Sequence, residues 1–174
     1  QPLSSLTELR HLSMSWGDSR GSDLVVPHLQ HLSSLKMDGF QCCQLTAIPH
    51  TLRFLELYQI DAKELCACVE AIAHGASLPR LHQLFIRDLK FPPFSHGNSS
   101  WPHWRELGVS MASHLAALPS DFLVVERVST VPWIGSFLVF AEHAPEFAEE
   151  VTSIAFEDTG LGTVAAASLT RLAM

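Results

Sequence analysis

Gly17-Asp18-Ser19 follows the apolar stretch Leu9–Met14, where a nucleophilic serine could sit at the end of a strand. A serine hydroxyl attacks a carbonyl only if a base takes its proton and a third group orients that base. The ten histidines are the candidate bases. They also raise a zinc reading. His28-x-x-His31 could share one helical turn, with His11 one apolar segment earlier. Zinc needs converging ligands, and the chain contains no H-E-x-x-H and no paired C-x-x-C. It contains no G-x-S-x-G and no glycine-rich phosphate loop. The expectation for the imidazoles is scattered surface and loop positions, with no metal and no cofactor.

The tripeptide resembles the first block of GDS-type esterases, which supply acid and base as Asp-x-x-His near the C-terminus. None of the ten histidines has Asp three residues earlier; before His143 that position is Phe140. Asp18, Ser19, Gly21 and Ser22 are turn formers. A polar turn accounts for them, and a non-enzymatic chain is expected. A GDS-type serine hydrolase is the alternative.

Any such group must be positioned by a fold, and composition bounds that fold. The chain has 174 residues, 47% hydrophobic and 17% charged, which is enough for one domain with a core and is unlike a disordered segment. Net charge is −7, with no dense Lys/Arg cluster, so nucleic acid is not an expected partner. The longest apolar stretch, near Trp133–Ala141, is far below the roughly 20 residues of a membrane span. Gln1-Pro2-Leu3 does not resemble a signal peptide. Cys42, Cys43, Cys66 and Cys68 are expected reduced and mostly buried, which favours a cytoplasmic location.

An internal periodicity runs along the chain. Leu9-x-x-Leu12-x-Met14 returns as Leu32-x-x-Leu35-x-Met37, Leu52-x-x-Leu55-x-Leu57, Leu81-x-x-Leu84-x-Ile86 and Trp104-x-x-Leu107-x-Val109. Weaker copies are Val128-x-x-Val131-x-Trp133, Val151-x-x-Ile154-x-Phe156 and Leu169-x-x-Leu172-x-Met174. The second apolar residue of each copy recurs at steps of 18 to 29 residues. Alternate residues of a strand share a face, so each copy reads as a short strand with one apolar side. One such segment cannot bury that side alone; stacked neighbours supply the cover.

This pattern resembles the leucine-rich repeat family over nearly the whole chain. The resemblance implies an α/β solenoid with a parallel concave sheet and helices or loops on the convex side. Residues 1–174 are then one leucine-rich repeat domain cut from a longer array at both ends. The longest interval, with Asp61 as N-cap, Glu64 at the capping-box position and Gly75 closing it, predicts a convex helix with Leu65, Val69 and Ile72 on one face. That unit is similar to the long units of ribonuclease-inhibitor-like proteins. A second, shorter helix is expected over Gly160–Leu169, and a projecting loop over Phe91–Ser100. The family's asparagine ladder is absent: Gly17, Phe40, Ile60, Leu89 and Ala112 stand at those places.

With the marker residues turned inward, the concave face carries His11, Ser13, Ser15; Ser34, Lys36, Asp38; Phe54, Glu56, Tyr58; Gln83, Phe85, Arg87; and Glu106, Gly108, Ser110. Phe54, Tyr58 and Phe85 form an aromatic patch with Arg87 beside it and Glu56 within it. Aromatics and Arg dominate binding hot spots. The expected partner-binding residues are Lys36, Asp38, Phe54, Glu56, Tyr58, Gln83, Phe85, Arg87 and Glu106. The expected function is a non-catalytic protein-recognition module that takes a protein or peptide on its concave face, as in the sensing array of an intracellular immune-type receptor. The alternative is the substrate-recognition array of an F-box-type ubiquitin ligase adaptor.

Overall fold

Alternating burial builds the strands. In β1 (His11–Ser15), β2 (Ser34–Asp38) and β3 (Phe54–Tyr58), every second residue is apolar. Leu35, Met37, Leu55 and Leu57 are buried, while the residues between them keep access to solvent. The computed structural model describes residues 8–15, 29–38, 48–91, 101–130, 134–156 and 162–165.

The elements that follow are β4 (Ile60–Asp61), α1 (Ala62–Ala73), β5 (Gln83–Ile86), β6 (Leu89–Phe91), α2 (Trp101–Leu115), β7 (Leu123–Thr130), α3 (Gly135–His143), α4 (Pro145–Glu150), β8 (Val151–Phe156) and β9 (Gly162–Ala165). The described strands form one sheet, in which β1, β2, β3, β5, β7 and β8 lie side by side and parallel. β4 pairs with β6, and β6 with the second half of β7. Only β9 runs antiparallel, along β8. The chain is α/β, and its sheet is open rather than closed.

Register puts the apolar residues in rows. Leu12, Leu35, Leu55, Leu84 and Leu123 are successive cross-strand partners, and so are Met14, Met37, Leu57, Ile86 and Val125. Leu35, Leu55, Leu84 and Leu123 are at most 2% exposed. Leu12, on the edge strand, is half-buried. A tight turn precedes four of the strands: Leu32 N–H donates to Leu29 O, Leu52 to Pro49 O, Leu81 to Leu78 O and Phe122 to Pro119 O, at 3.0–3.1 Å. Each turn drops one fully or nearly buried side chain beneath the strand that follows.

The helices lie in the connections after β4, β6 and β7. Asp61 caps α1 by accepting from Lys63 N–H at 2.8 Å, and Gly75 beyond its end adopts φ +67°, which only glycine takes without strain. Leu65, Val69 and Ile72 are buried on one face, as the spacing predicts. Cys66 and Cys68 on this helix are free and buried; burial, with Asp61 and Glu70 nearby, pushes the Cys66 thiol up to about 12. Aromatic rings join the other layers. Phe91 of β6 lies 5.3 Å from Trp104, 5.5 Å from Phe137 and 5.4 Å from Phe140, and Phe140 lies 5.1 Å from Phe147. α2 and α3 meet at Gly108, where a Cβ would stand 2.5 Å from the Phe140 carbonyl oxygen.

Three expectations are corrected. Trp104-x-x-Leu107-x-Val109 is helical, not a strand. Its first spacing, three residues, also fits a helix face, and Trp104, Gly108 and Met111 complete that face as buried positions. Gly162–Ala165, inside the segment expected as a helix, is strand β9. Phe91 is not the start of a projecting loop but a fully buried strand residue. Gly17-Asp18-Ser19, His28, Cys42, Cys43, residues 92–100, Val131–Trp133 and Leu169–Met174 lie outside the described residues.

Candidate functional site

One face of the sheet carries the apolar rows; the other carries Lys36 from β2, Phe54, Glu56 and Tyr58 from β3, and Gln83 and Phe85 from β5, with Arg87 just after that strand. All of these keep solvent access. Strand alternation puts them there: Lys36, Glu56, Phe85 and Arg87 sit between buried neighbours, and Phe54, Tyr58 and Gln83 continue the same alternation at the strand ends. Parallel register then makes Lys36, Glu56, Phe85 and Val124 consecutive partners across the sheet.

Glu56 is the hub. Its Oε1 accepts from Arg87 Nε at 2.7 Å and from the Tyr58 hydroxyl at 3.1 Å, and Lys36 Nζ lies 3.6 Å from the same oxygen. Arg87 Nη1 donates onward to Glu126 Oε2. Burial pushes the Glu56 carboxyl up, but hydrogen bonds from Arg87 and Tyr58 and the charges of Lys36 and Arg87 outweigh it, leaving the carboxyl below its ordinary value. The rings take part as well. Lys36 Nζ stands 4.6 Å from the Tyr58 ring centroid, and Arg87 Cζ stands 5.0 Å from that of Phe85, both within cation–π range.

Arg87 is aimed by the break between β5 and β6. Its backbone N–H donates to Leu57 O at 2.9 Å. The next residue, Asp88, is buried and accepts from Ser129 Oγ at 2.5 Å and from Arg127 Nε at 3.2 Å. The Asp88 carbonyl accepts Ile60 N–H at 3.1 Å, tying in β4. A buried, hydrogen-bonded carboxylate at the bend fixes the backbone from which the guanidinium projects.

Beside the network lies a shallow depression of about 280 Å³, bordered by Ser34, Phe54, Glu56, Gln83, Phe85 and Arg87. Phe54 at its rim is 48% exposed. The ion pairs are too exposed to hold the fold together; pairs of this kind are worth roughly 0–1 kcal/mol each. Their effect is to hold Arg87, Tyr58 and Phe85 in fixed positions. A preorganised aromatic and guanidinium surface is suited to binding, since little side-chain freedom remains to be lost.

Of the nine expected residues, Lys36, Glu56, Tyr58, Phe85 and Arg87 are joined in one network. Phe54 and Gln83 are direct register partners at the strand starts. Asp38, the register partner of Tyr58, lies on the same face. Glu106 does not belong: it is exposed on α2, near Arg105 and Val109. Glu126 of β7, aligned with Arg87 by register, supplies the carboxylate at that end of the network instead. The sequence signal for Glu126 was Leu123-x-Val125-x-x-Val128, the spacing of Leu84-x-Ile86-x-x-Leu89. This segment departs from the repeat because Ser120 replaces the leucine three places before Leu123, and Phe122 closes the turn instead.

Among the described residues, no three His, Cys, Asp or Glu side chains converge as a metal site requires. No described helix is long and apolar enough to cross a membrane. Comparison of the chain with protein-family models, with curated proteins and with solved structures returns no match.

Proposed function

We propose that this chain is a recognition module of the leucine-rich repeat type, binding a protein or peptide across the open face of its sheet. The solenoid reading is supported by the marker leucines standing in one cross-strand row and by the tight turns ahead of the strands. The binding reading is carried by one observation: Phe54 stands half-exposed beside a prearranged network of Lys36, Glu56, Tyr58, Phe85 and Arg87 on a sheet face that no described helix covers. Apolar groups gathered into one accessible patch mark interaction sites where single exposed residues do not, and Phe54, Tyr58 and Phe85 gather on this face. The partner contributes an apolar group to the depression and a hydrogen-bonding group to its polar rim at Ser34 and Gln83.

The test compares proteins retained from a native extract by three forms: wild type, Phe54→Ala with Phe85→Ala, and an outer-face control, Arg105→Ala with Val109→Ala. A partner kept by wild type and control but lost by the open-face variant supports the reading. Identical retention by all three removes it. Loss of hot-spot aromatics weakens such binding by about 2 kcal/mol or more.

A further inference from the structure

Arg10, Arg53 and Arg80 are exposed around a groove of about 500 Å³ at the entry ends of the strands, with His11, His31 and Phe54 also on its walls. Among the described residues, no carboxylate lines this groove, although acidic residues outnumber Lys and Arg 18 to 11 in the chain. Among the described residues, none of the three arginines makes an ion pair.

We infer that this groove is the docking site for an acidic peptide segment, whose Asp or Glu side chains pair with Arg10, Arg53 and Arg80. The inference rests on the recognition reading above and names the chemistry of the partner, because Phe54 borders both the groove and the open-face depression.

The backbone makes the groove a fixed row. Ser33 and Ser34 N–H both donate to Arg10 O, Arg53 and Phe54 N–H to Ser33 O, and His82 and Gln83 N–H to Arg53 O, at 2.9–3.2 Å. The nearby hydroxyls stitch the same row: Ser33 Oγ donates to Arg10 O and Thr51 Oγ1 to Leu32 O. The groups left for a partner are the guanidiniums and imidazoles. Neighbouring strands are about 4.8 Å apart, so Arg10 and Arg53, two strands apart, start from backbones roughly 10 Å from each other. Same-side residues of an extended peptide recur about every 6.7 Å, so two or three alternate carboxylates span the row.

Length decides against nucleic acid. Asp121, two residues before the partner of Leu84, holds the next place after His82 and ends the basic row after roughly 15 Å. A polyanion extending past that point meets the Asp121 carboxylate, whereas a short acidic segment ends before it.

The experiment is fluorescence anisotropy on the full chain. The probe is a fluorescein-labelled peptide with three Glu at alternate positions followed by one Phe; a Gln-for-Glu version is the control. Expected results are binding that falls about tenfold or more for the Gln peptide, for Arg53→Glu with Arg80→Glu, and on raising salt from ~0.05 to ~0.5 M. Arg53→Gln with Arg80→Gln, checked for native circular dichroism, should show a smaller loss in the same direction. No binding at about 1 mM peptide, or equal binding of the Glu and Gln peptides, overturns the groove assignment. So does a self-associated protein that the Arg53→Glu, Arg80→Glu variant renders monomeric, since a second copy would then be the occupant. Displacement of the probe by an oligonucleotide at lower concentration than by unlabelled Glu peptide overturns it as well. The two readings fail separately. If Phe54→Ala with Phe85→Ala leaves both the Glu peptide bound and the extract retention unchanged while the arginine variants lose the peptide, the groove stands and the open-face reading falls. The reverse pattern removes the groove alone.

Discussion

Leu84→Ala should cost far more than Leu12→Ala, although both residues stand in the same cross-strand row. Leu84 is fully buried between Leu55 and Leu123, its partners on either side. Truncation removes roughly three carbons' worth of burial, about 2.4 kcal/mol at ~0.8 kcal/mol per CH₂. The cavity left in a rigid sheet adds about 1 kcal/mol, giving a loss of about 3–4 kcal/mol. Leu12 is half-buried and, among the described residues, has a strand neighbour on one side only, at Leu35. Half the transfer and little cavity give about 1 kcal/mol. Urea unfolding followed by circular dichroism measures both, with stability taken from midpoint and slope. The expected difference is about 2–3 kcal/mol at unchanged slope. Equal losses, within about 0.5 kcal/mol, would refute the argument that adjacent strands supply one another's apolar cover.

Two further perturbations probe other links in the chain of reasoning. Gly108→Ala forces a methyl against the Phe140 carbonyl oxygen, which is backbone and cannot swing aside, so α2 and α3 must part. A loss of about 1–3 kcal/mol is expected in the same urea assay, and a neutral result would contradict the close approach. Glu56→Gln tests the network through pH. The folded Glu56 carboxyl is lowered from 4.5, so its contribution is present above that value and vanishes as pH falls through the lower folded value. Wild type should therefore exceed the variant in stability at neutral pH and converge with it below the carboxylate range. A gap that widens on acidification would reverse the sign of the argument.

Much of the covered face was legible because strand alternation and register act on the same residues. Leu35, Leu55 and Leu84 follow a two-residue period, and that period alone sorted Lys36, Glu56 and Phe85 to the opposite side. α1 was legible because Asp61 and Gly75 mark both of its ends. α2 was misread because a three-residue apolar spacing belongs equally to a helix face and to the lead-in of a strand. Only Met111, one helical turn past Gly108, separates the two. Glu106 fell with that misreading. The strand that replaces it, β7, lacks the leading leucine, so its outward Glu126 went unnoticed. The basic groove was invisible in sequence for another reason. Arg10, Arg53 and Arg80 are far apart along the chain and meet only through the parallel register at the strand entries.

The most direct test of the open-face reading is hydroxyl-radical footprinting of the captured complex against the free chain. Side-chain oxidation of Phe54, Tyr58 and Phe85 should fall on binding, while Val109 and Leu138, the exposed apolar residues on the helices, should react as before. Unchanged oxidation of Phe54 and Phe85, with protection at Val109 or Leu138, would contradict the account.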